Sequence, residues 1–389
     1  MRRRKLAVVA ISTALSLIAA EVALRTVSPR RTFDVLAGAY PAMFNASDVM
    51  PYRLRPNYQG RLATSEFDTG IRINSLGYRG PEFAVAKGRA RRILVIGDSF
   101  TFGWGVNDDE TYPARLQRLL PARMGSQQVE VINAGFAACY SPDTYYLYLK
   151  NEGLALNPDA IVVGLFVGND LDSDAAFENE WIEQDSEGLP LRIRNLNSQV
   201  IDHYLLPRPI PVRYRTPILS RSHLFQGLFD VWWELAPRLK AWVPGGIATT
   251  VYAASQAPSP EEQVPYNYRI RFADRTEKVF SRVRHLLRAM HRLAGDAGIP
   301  IYFMIIPAAV QLAPDAYAGL PADIEKPQKE LARFFDREGM KYLDLLPWFR
   351  ERSNGRTIYL PQDGHFSPDG NQLAAERLAE YLAQEWMTK

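Results

Sequence analysis

Ile93-Leu94-Val95-Ile96-Gly97-Asp98-Ser99-Phe100 is the stretch that decides how the rest of the chain is read. Four consecutive apolar, mostly β-branched residues predict a strand buried on both faces, as in a parallel sheet. Gly97 breaks that strand and delivers Asp98 and Ser99 to its carboxyl end, the edge of an open α/β sheet where ligands bind. A serine after a strand is also a common turn or N-cap residue. The weight therefore falls on what else reaches the same edge.

Four further strands follow the same plan. Beyond Ser99, Gly103 and Gly105 lead to Asp108-Asp109-Glu110-Thr111-Tyr112-Pro113, a helix start, with Leu116, Leu119 and Leu120 as the buried stripe. Neither the dinucleotide fingerprint nor a Gly-Lys-Ser/Thr phosphate loop accompanies these glycines. A second strand over residues 129–132 ends in Asn133-Ala134-Gly135-Phe136, and Ser141-Pro142-Asp143 opens the next helix. A third, over 160–167, ends in Gly168-Asn169-Asp170. A fourth, over 299–306, stops at Pro307 and is fed by a helix with Val279, Phe280, Val283, Leu286, Leu287 and Met290 on its apolar face. His285 and His291 fall on that helix's solvated side. A fifth short strand covers 342–345.

Strands alternating with helices imply a three-layer α/β/α fold with a doubly wound parallel sheet of about five strands. Three successive strands thus end in Ser, Gly or Asn at one edge. Turn chemistry accounts for each end separately, but a glycine there also exposes its N–H, and an asparagine amide donates beside it.

Near the C-terminus stands Gln362-Asp363-Gly364-His365-Phe366-Ser367-Pro368. Ser367 and Pro368 cap and start a terminal helix carrying Leu373, Leu378, Leu382 and Trp386. Asp363 and His365 therefore lie on a loop just before a helix, where the acid can fix the imidazole tautomer. Of the five histidines, His365 alone has an acid in such a loop.

Composition narrows the partners. A chain of 389 residues, 47% hydrophobic, buries one large core with room for an insertion. A net charge of +3 with scattered arginines argues against nucleic acid. Cys139, the single cysteine, excludes an internal disulfide and reads as a small packing residue. Arg2-Arg3-Arg4-Lys5 precedes an apolar run over 6–20, the pattern of a secretory signal or a membrane anchor starting in the cytoplasm. Leu17 and Ile18 occupy the place a cleavage site needs. Apolar character continues to Val27, with Glu21 and Arg25 at pairing distance, so an uncleaved anchor is expected and a cleaved signal is the alternative.

The expected organisation is an anchor or signal over 1–28, a separate strand-bearing lead-in over 29–90, and the main domain over 91–389. An insertion at 171–265 interrupts that domain. The insertion opens with Asp170, Asp172 and Asp174. A calcium loop lacks its sixth-position glycine and has Trp181 where its glutamate belongs, so a solvated acidic face is expected. Farther on, Leu224, Phe225, Leu228, Trp232, Leu235, Leu239 and Trp242 make a helical stripe expected to pack on the core, with a sugar-stacking cap or a membrane-resting face as alternatives.

Together these blocks resemble the SGNH or GDSL hydrolase family. Gly97-Asp98-Ser99 is similar to its first block, Gly135 to its second, Gly168-Asn169-Asp170 to its third, and Asp363 with His365 to its last. The lead-in Asn74-Ser75-Leu76-Gly77-Tyr78-Arg79-Gly80 behind an N-terminal anchor is similar to membrane-anchored bacterial members. Many members place the acid three residues before the histidine; here the separation is two, as in some O-acetyl-transferring relatives.

The resemblance implies a flavodoxin-like sheet and a serine esterase acting through an acyl-Ser99 intermediate. His365 would be the base and Asp363 its orienting acid. The Ser99 and Gly135 N–H groups and the Asn169 amide would form the oxyanion hole. It implies neither metal nor nucleotide cofactor. The expected substrate is an acylated, cell-envelope or exported glycan met on the periplasmic or extracytoplasmic side of the inner membrane. An O-acyltransferase using the same site is the alternative, and a catalytically silent envelope scaffold is a third reading.

Overall fold

The computed structural model describes residues 2–27, 43–45, 47–63, 66–125, 127–137, 140–171, 182–193, 222–225, 227–228, 231, 264–271, 274–313, 315–361 and 363–387. Cys139, Asp172, Asp174, Trp181, Trp232, Leu235, Leu239 and Trp242 lie outside these residues.

Five strands form the central sheet: β1 (Arg91–Gly97), β2 (Val129–Gly135), β3 (Ala160–Phe166), β4 (Ile301–Ile306) and β5 (Lys341–Asp344). Their order is β5-β4-β3-β1-β2, and every pairing is parallel. This is the flavodoxin-like doubly wound arrangement, with the chain reversing its direction of travel at β1 and β3. Gly97 stands opposite Gly135 in register, so the ends of β1 and β2 come level at the carboxyl edge.

Helices among the described residues include α1 (Arg2–Val27), α2 (Ser99–Phe102), α3 (Tyr112–Arg123), α4 (Pro142–Tyr148), α5 (Asp274–Asp296), α6 (Lys326–Glu338), α7 (Leu346–Arg352) and α8 (Pro368–Met387). Alternation along the strands divides the core into two layers. Ile93, Val95 and Val162 face one layer with Leu116 of α3 and Leu378 and Leu382 of α8. Leu94, Ile96 and Val163 face the other with Phe280, Leu287 and Met290 of α5. Each such fully buried aliphatic or aromatic side chain contributes about 1.5–3 kcal/mol. The sheet is therefore a rigid floor for whatever its carboxyl edge carries.

The lead-in packs against the sheet. Its strand pair Gln59–Ala63 and Asp68–Arg72 is antiparallel, and Met50, Tyr52, Leu62, Phe67, Ile71 and Ile73 are buried in the same cluster as Leu94 and Ile96 of β1. The buried Arg92 of β1 ties down the connection as well, donating to Ala84 O and Leu156 O at 2.6 Å and pairing with Glu130.

One expectation about the insertion changes. Asp170 is buried rather than solvated, accepting from Tyr145 Oη at 3.0 Å and from Phe166 N at 2.9 Å. Of the expected stripe, Leu224 and Phe225 are half-buried and Leu228 is exposed. The segment at 222–224 bonds to α1, where Glu21 accepts from His223 N and Leu224 N at 3.0 and 2.8 Å. Glu21 also pairs with Arg25 at 2.7 Å. Within α1, Ala7–Val27 is long and apolar enough to cross a membrane.

Asp344, at the end of β5, makes the fold pH-sensitive. Burial pushes its carboxyl up from 3.8 to about 6, against the pull of the Leu346 N–H. An acid whose folded pKa is raised contributes stability that is full below the unfolded value and lost as pH rises through the folded one. Chemical denaturation of Asp344→Asn should therefore show a smaller fall in stability between about pH 4 and pH 6 than the parent protein.

Candidate active site

The turn from β1 into α2 presents the serine. Asp98 is the N-cap of α2, its carboxylate accepting from Phe100 N at 2.9 Å. Ser99 opens the helix, so its own N–H has no intrahelical acceptor. The sharp exit after Phe102 is made by Gly103, whose φ of +88° suits glycine.

From the other end of the chain the loop before α8 brings His365 against it. His365 Nε2 lies 2.7 Å from Ser99 Oγ, and His365 Nδ1 lies 2.5 Å from Asp363 Oδ1. The loop is closed by Leu360 N donating to His365 O at 2.8 Å and Gly364 N donating to Leu360 O at 2.9 Å. Gly364, with φ +82°, sits between acid and base. That left-handed residue folds Asp363 back so that Oδ1 also receives His365 N at 3.3 Å, an Asx-type turn. A separation of two residues thus brings acid and imidazole together.

A third donor, which sequence reasoning missed, completes the carboxylate's surroundings. Trp104 Nε1 donates to Asp363 Oδ2 at 3.2 Å. Burial alone would raise the Asp363 carboxyl, but the hydrogen bond and charge of His365, with the Trp104 indole, hold it below the usual carboxylate range. Asp363 is therefore an anion at neutral pH, suited to hold the proton of His365 on Nδ1 and leave Nε2 free to accept from Ser99. Phe100 packs beside the imidazole with ring centroids 4.9 Å apart.

The expected oxyanion donors fare differently. Asn169 Nδ2 donates to Asp98 Oδ2 at 3.2 Å, which leaves that nitrogen a second hydrogen for a ligand. Burial raises the Asp98 carboxyl, despite the Phe100 N–H, His365 and Asn169 drawing it down. The nearby Asp170 carboxyl rises further through its own burial and the charge of Asp98. The Gly135 N–H, in contrast, is donated to Asn133 Oδ1 at 2.9 Å. The expected oxyanion donor at Gly135 is thus engaged within the protein. What the position requires is closeness, because a Cβ there would lie 2.1 Å from Phe102 N. Asn169→Ala is expected to lower kcat for 4-nitrophenyl acetate by about 10²–10³-fold, the usual loss for one oxyanion donor. An unchanged kcat would remove Asn169 from the site.

Among the described residues no cluster of three or more His, Cys, Asp or Glu side chains is placed to hold a metal ion. What the arrangement offers is nucleophilic chemistry: a hydroxyl, a base in contact with it, and an acid orienting the base.

Comparison with known proteins agrees with that chemistry. Residues 269–389 match a family model described as the SGNH hydrolase-like domain of the acetyltransferase AlgX, a stretch that contains Asp363 and His365. No curated protein matches the chain. Among solved structures, a lipase/acylhydrolase from Enterococcus faecalis is 14% identical, covering 76% of this chain and 96% of its own, with a TM-score of 0.39. An acetylxylan esterase from Geobacillus stearothermophilus is 12% identical, covering 76% and 94%, with a TM-score of 0.38. Over residues 269–389, which carry Asp363 and His365, the chain is SGNH hydrolase-like.

Proposed function

We propose that this protein is a membrane-anchored, extracytoplasmic enzyme that moves acyl groups, chiefly acetyl, on a cell-envelope or exported glycan. The observation that carries the reading is the 2.7 Å contact between Ser99 Oγ and His365 Nε2. Ser99 Oγ attacks the ester carbonyl while His365 Nε2 takes its proton, and Asp363 stabilises the imidazolium. The negative oxygen that develops is met by the Ser99 N–H and the Asn169 amide. His365 then returns the proton to the departing alkoxide, leaving acyl-Ser99 and a free alcohol. In the second half His365 deprotonates either water or a sugar hydroxyl, which attacks the acyl carbon and regenerates Ser99. The first gives hydrolysis, the second transfer.

The acetyltransferase name of the family model matched by residues 269–389 favours transfer as the second reading. Acetylated carbohydrate as substrate draws support from the same match. The anchor reading draws support from the length and apolar character of Ala7–Val27. The test is one incubation of the full-length protein with an acetyl donor and acetylated or free oligosaccharides, following both released acetate and acetylated sugar. Acetate alone assigns an esterase, and acetylated sugar a transferase. No Ser99-dependent product of either kind overturns the proposal. A C-terminal reporter active in the cytoplasm would remove the ground for an envelope substrate.

A further inference from the structure

The lead-in motif Asn74-Ser75-Leu76-Gly77-Tyr78-Arg79-Gly80 has no part in the chemistry above, yet one of its residues is the most heavily engaged cation near the site. The Arg79 side chain is 1% exposed. Its guanidinium donates to Phe102 O at 3.1 Å, Gly103 O at 2.6 Å and Val106 O at 2.6 Å, and pairs with Asp108 at 2.9 Å. It also lies over the Phe102 ring, 4.7 Å from its centroid. These carbonyls belong to the end of α2 and the turn beyond it. The same turn donates back to the nucleophile, with Gly103 N and Trp104 N both 3.0 Å from Ser99 O. Carbonyls at a helix end lack intrahelical partners and carry partial negative charge, so a buried planar cation with five donors is well suited to fix them.

A second residue of the lead-in reaches the other half of the triad. Glu66 Oε2 accepts from Asp363 N at 2.6 Å, and the adjacent Phe67 packs edge-on against Trp104 at 6.2 Å. Trp104 in turn holds Asp363 Oδ2. The lead-in therefore grips the serine side through Arg79 and the acid side through Glu66.

From this juxtaposition we infer that Arg79 and Glu66 are positioning residues, which set the Ser99 turn and the Asp363 loop at their working separation. The inference rests on Ser99, His365 and Asp363 acting as proposed above. A displacement of about 1 Å at reacting groups can lower a rate by about 10²-fold.

The test uses the full-length protein in detergent, reading kcat and KM for 4-nitrophenyl acetate and the rate at which a fluorophosphonate labels Ser99. Glu66→Ala should lower kcat and the labelling rate by about 10- to 10²-fold with KM nearly unchanged. Glu66→Gln, whose carbonyl oxygen still accepts from Asp363 N, should stay close to the parent protein. Arg79→Lys, which replaces a planar fork by a point charge, should lower both rates by about 10²-fold. If Arg79→Lys does not fold, the Glu66 pair decides.

Wild-type kcat in Glu66→Ala, or an equal loss in Glu66→Gln and Glu66→Ala, overturns the inference while leaving the function standing. So does a folded Arg79→Lys protein with the parent kcat. A parent protein with neither Ser99-dependent turnover nor Ser99 labelling overturns the function and this inference with it.

Discussion

Ser99→Ala, His365→Ala and the double variant are expected to be equally inactive, each with kcat for an acetyl ester lowered by about 10⁶-fold. The equality is the informative part. Hydroxyl and base act in one step, so removing either removes the step, and the second deletion has little left to remove. Among the described residues, the carboxylates beside Ser99 and Asn169 are already engaged. Asp98 is next in sequence to Ser99, but its two oxygens are held by Phe100 N and Asn169 Nδ2. Asp170 is buried against Tyr145 and Phe166. Turnover of 4-nitrophenyl acetate measures the loss, and acyl-enzyme trapping by mass spectrometry locates the acyl group. Full turnover in Ser99→Ala would place the nucleophile elsewhere, whatever the fold.

Asp363→Asn should lower kcat by about 10⁴-fold, less than loss of the base but far more than a surface change. Three donors converge on this carboxylate: His365 Nδ1, His365 N and Trp104 Nε1. An asparagine amide has one oxygen where the carboxylate has two. With that oxygen turned to Trp104, the NH₂ faces Nδ1 and drives the ring proton onto Nε2, the tautomer unable to accept from Ser99. With it turned to His365, the Trp104 indole loses its acceptor, and the imidazolium formed during attack loses its counter-charge in either case. The variant should fold and melt like the parent protein, with the deficit confined to kcat. Parent-like kcat in Asp363→Asn would mean that His365 is oriented by something else.

What could be read from the sequence was local. The strands at Arg91–Gly97, Val129–Gly135 and Ala160–Phe166 are runs of apolar, largely β-branched residues ended by Gly, Asn or Ser, and such runs have few other ways to be buried. Asp363 and His365 stand two residues apart before a helix-start signal, so their convergence needed only a turn.

Trp104 is not legible as a site residue because its partner lies 259 residues away, and Arg79 because its partners near by in the chain are mostly backbone carbonyls, which no side-chain pattern marks. Nor does amphipathic alternation in the lead-in say which surface covers it. Phe67 and Ile71 could have closed a small core of their own; they join the one beneath β1 instead. Nor does a strand-end glycine disclose that its N–H meets Asn133 Oδ1, two residues earlier, or that a Cβ at Gly135 would lie 2.1 Å from Phe102 N.

The docking of α8 has a consequence for biosynthesis. Asn371 Oδ1 on α8 accepts from Tyr112 N at the start of α3, and His365 meets a serine 266 residues upstream. Polypeptides emerge N-terminus first, and contacts between distant parts of a chain form late in folding. The serine turn, the lead-in and four of the five strands are thus synthesised well before the loop that activates Ser99. On the proposed mechanism a nascent chain carries an unactivated serine until residues 363–387 arrive to seat the loop and α8.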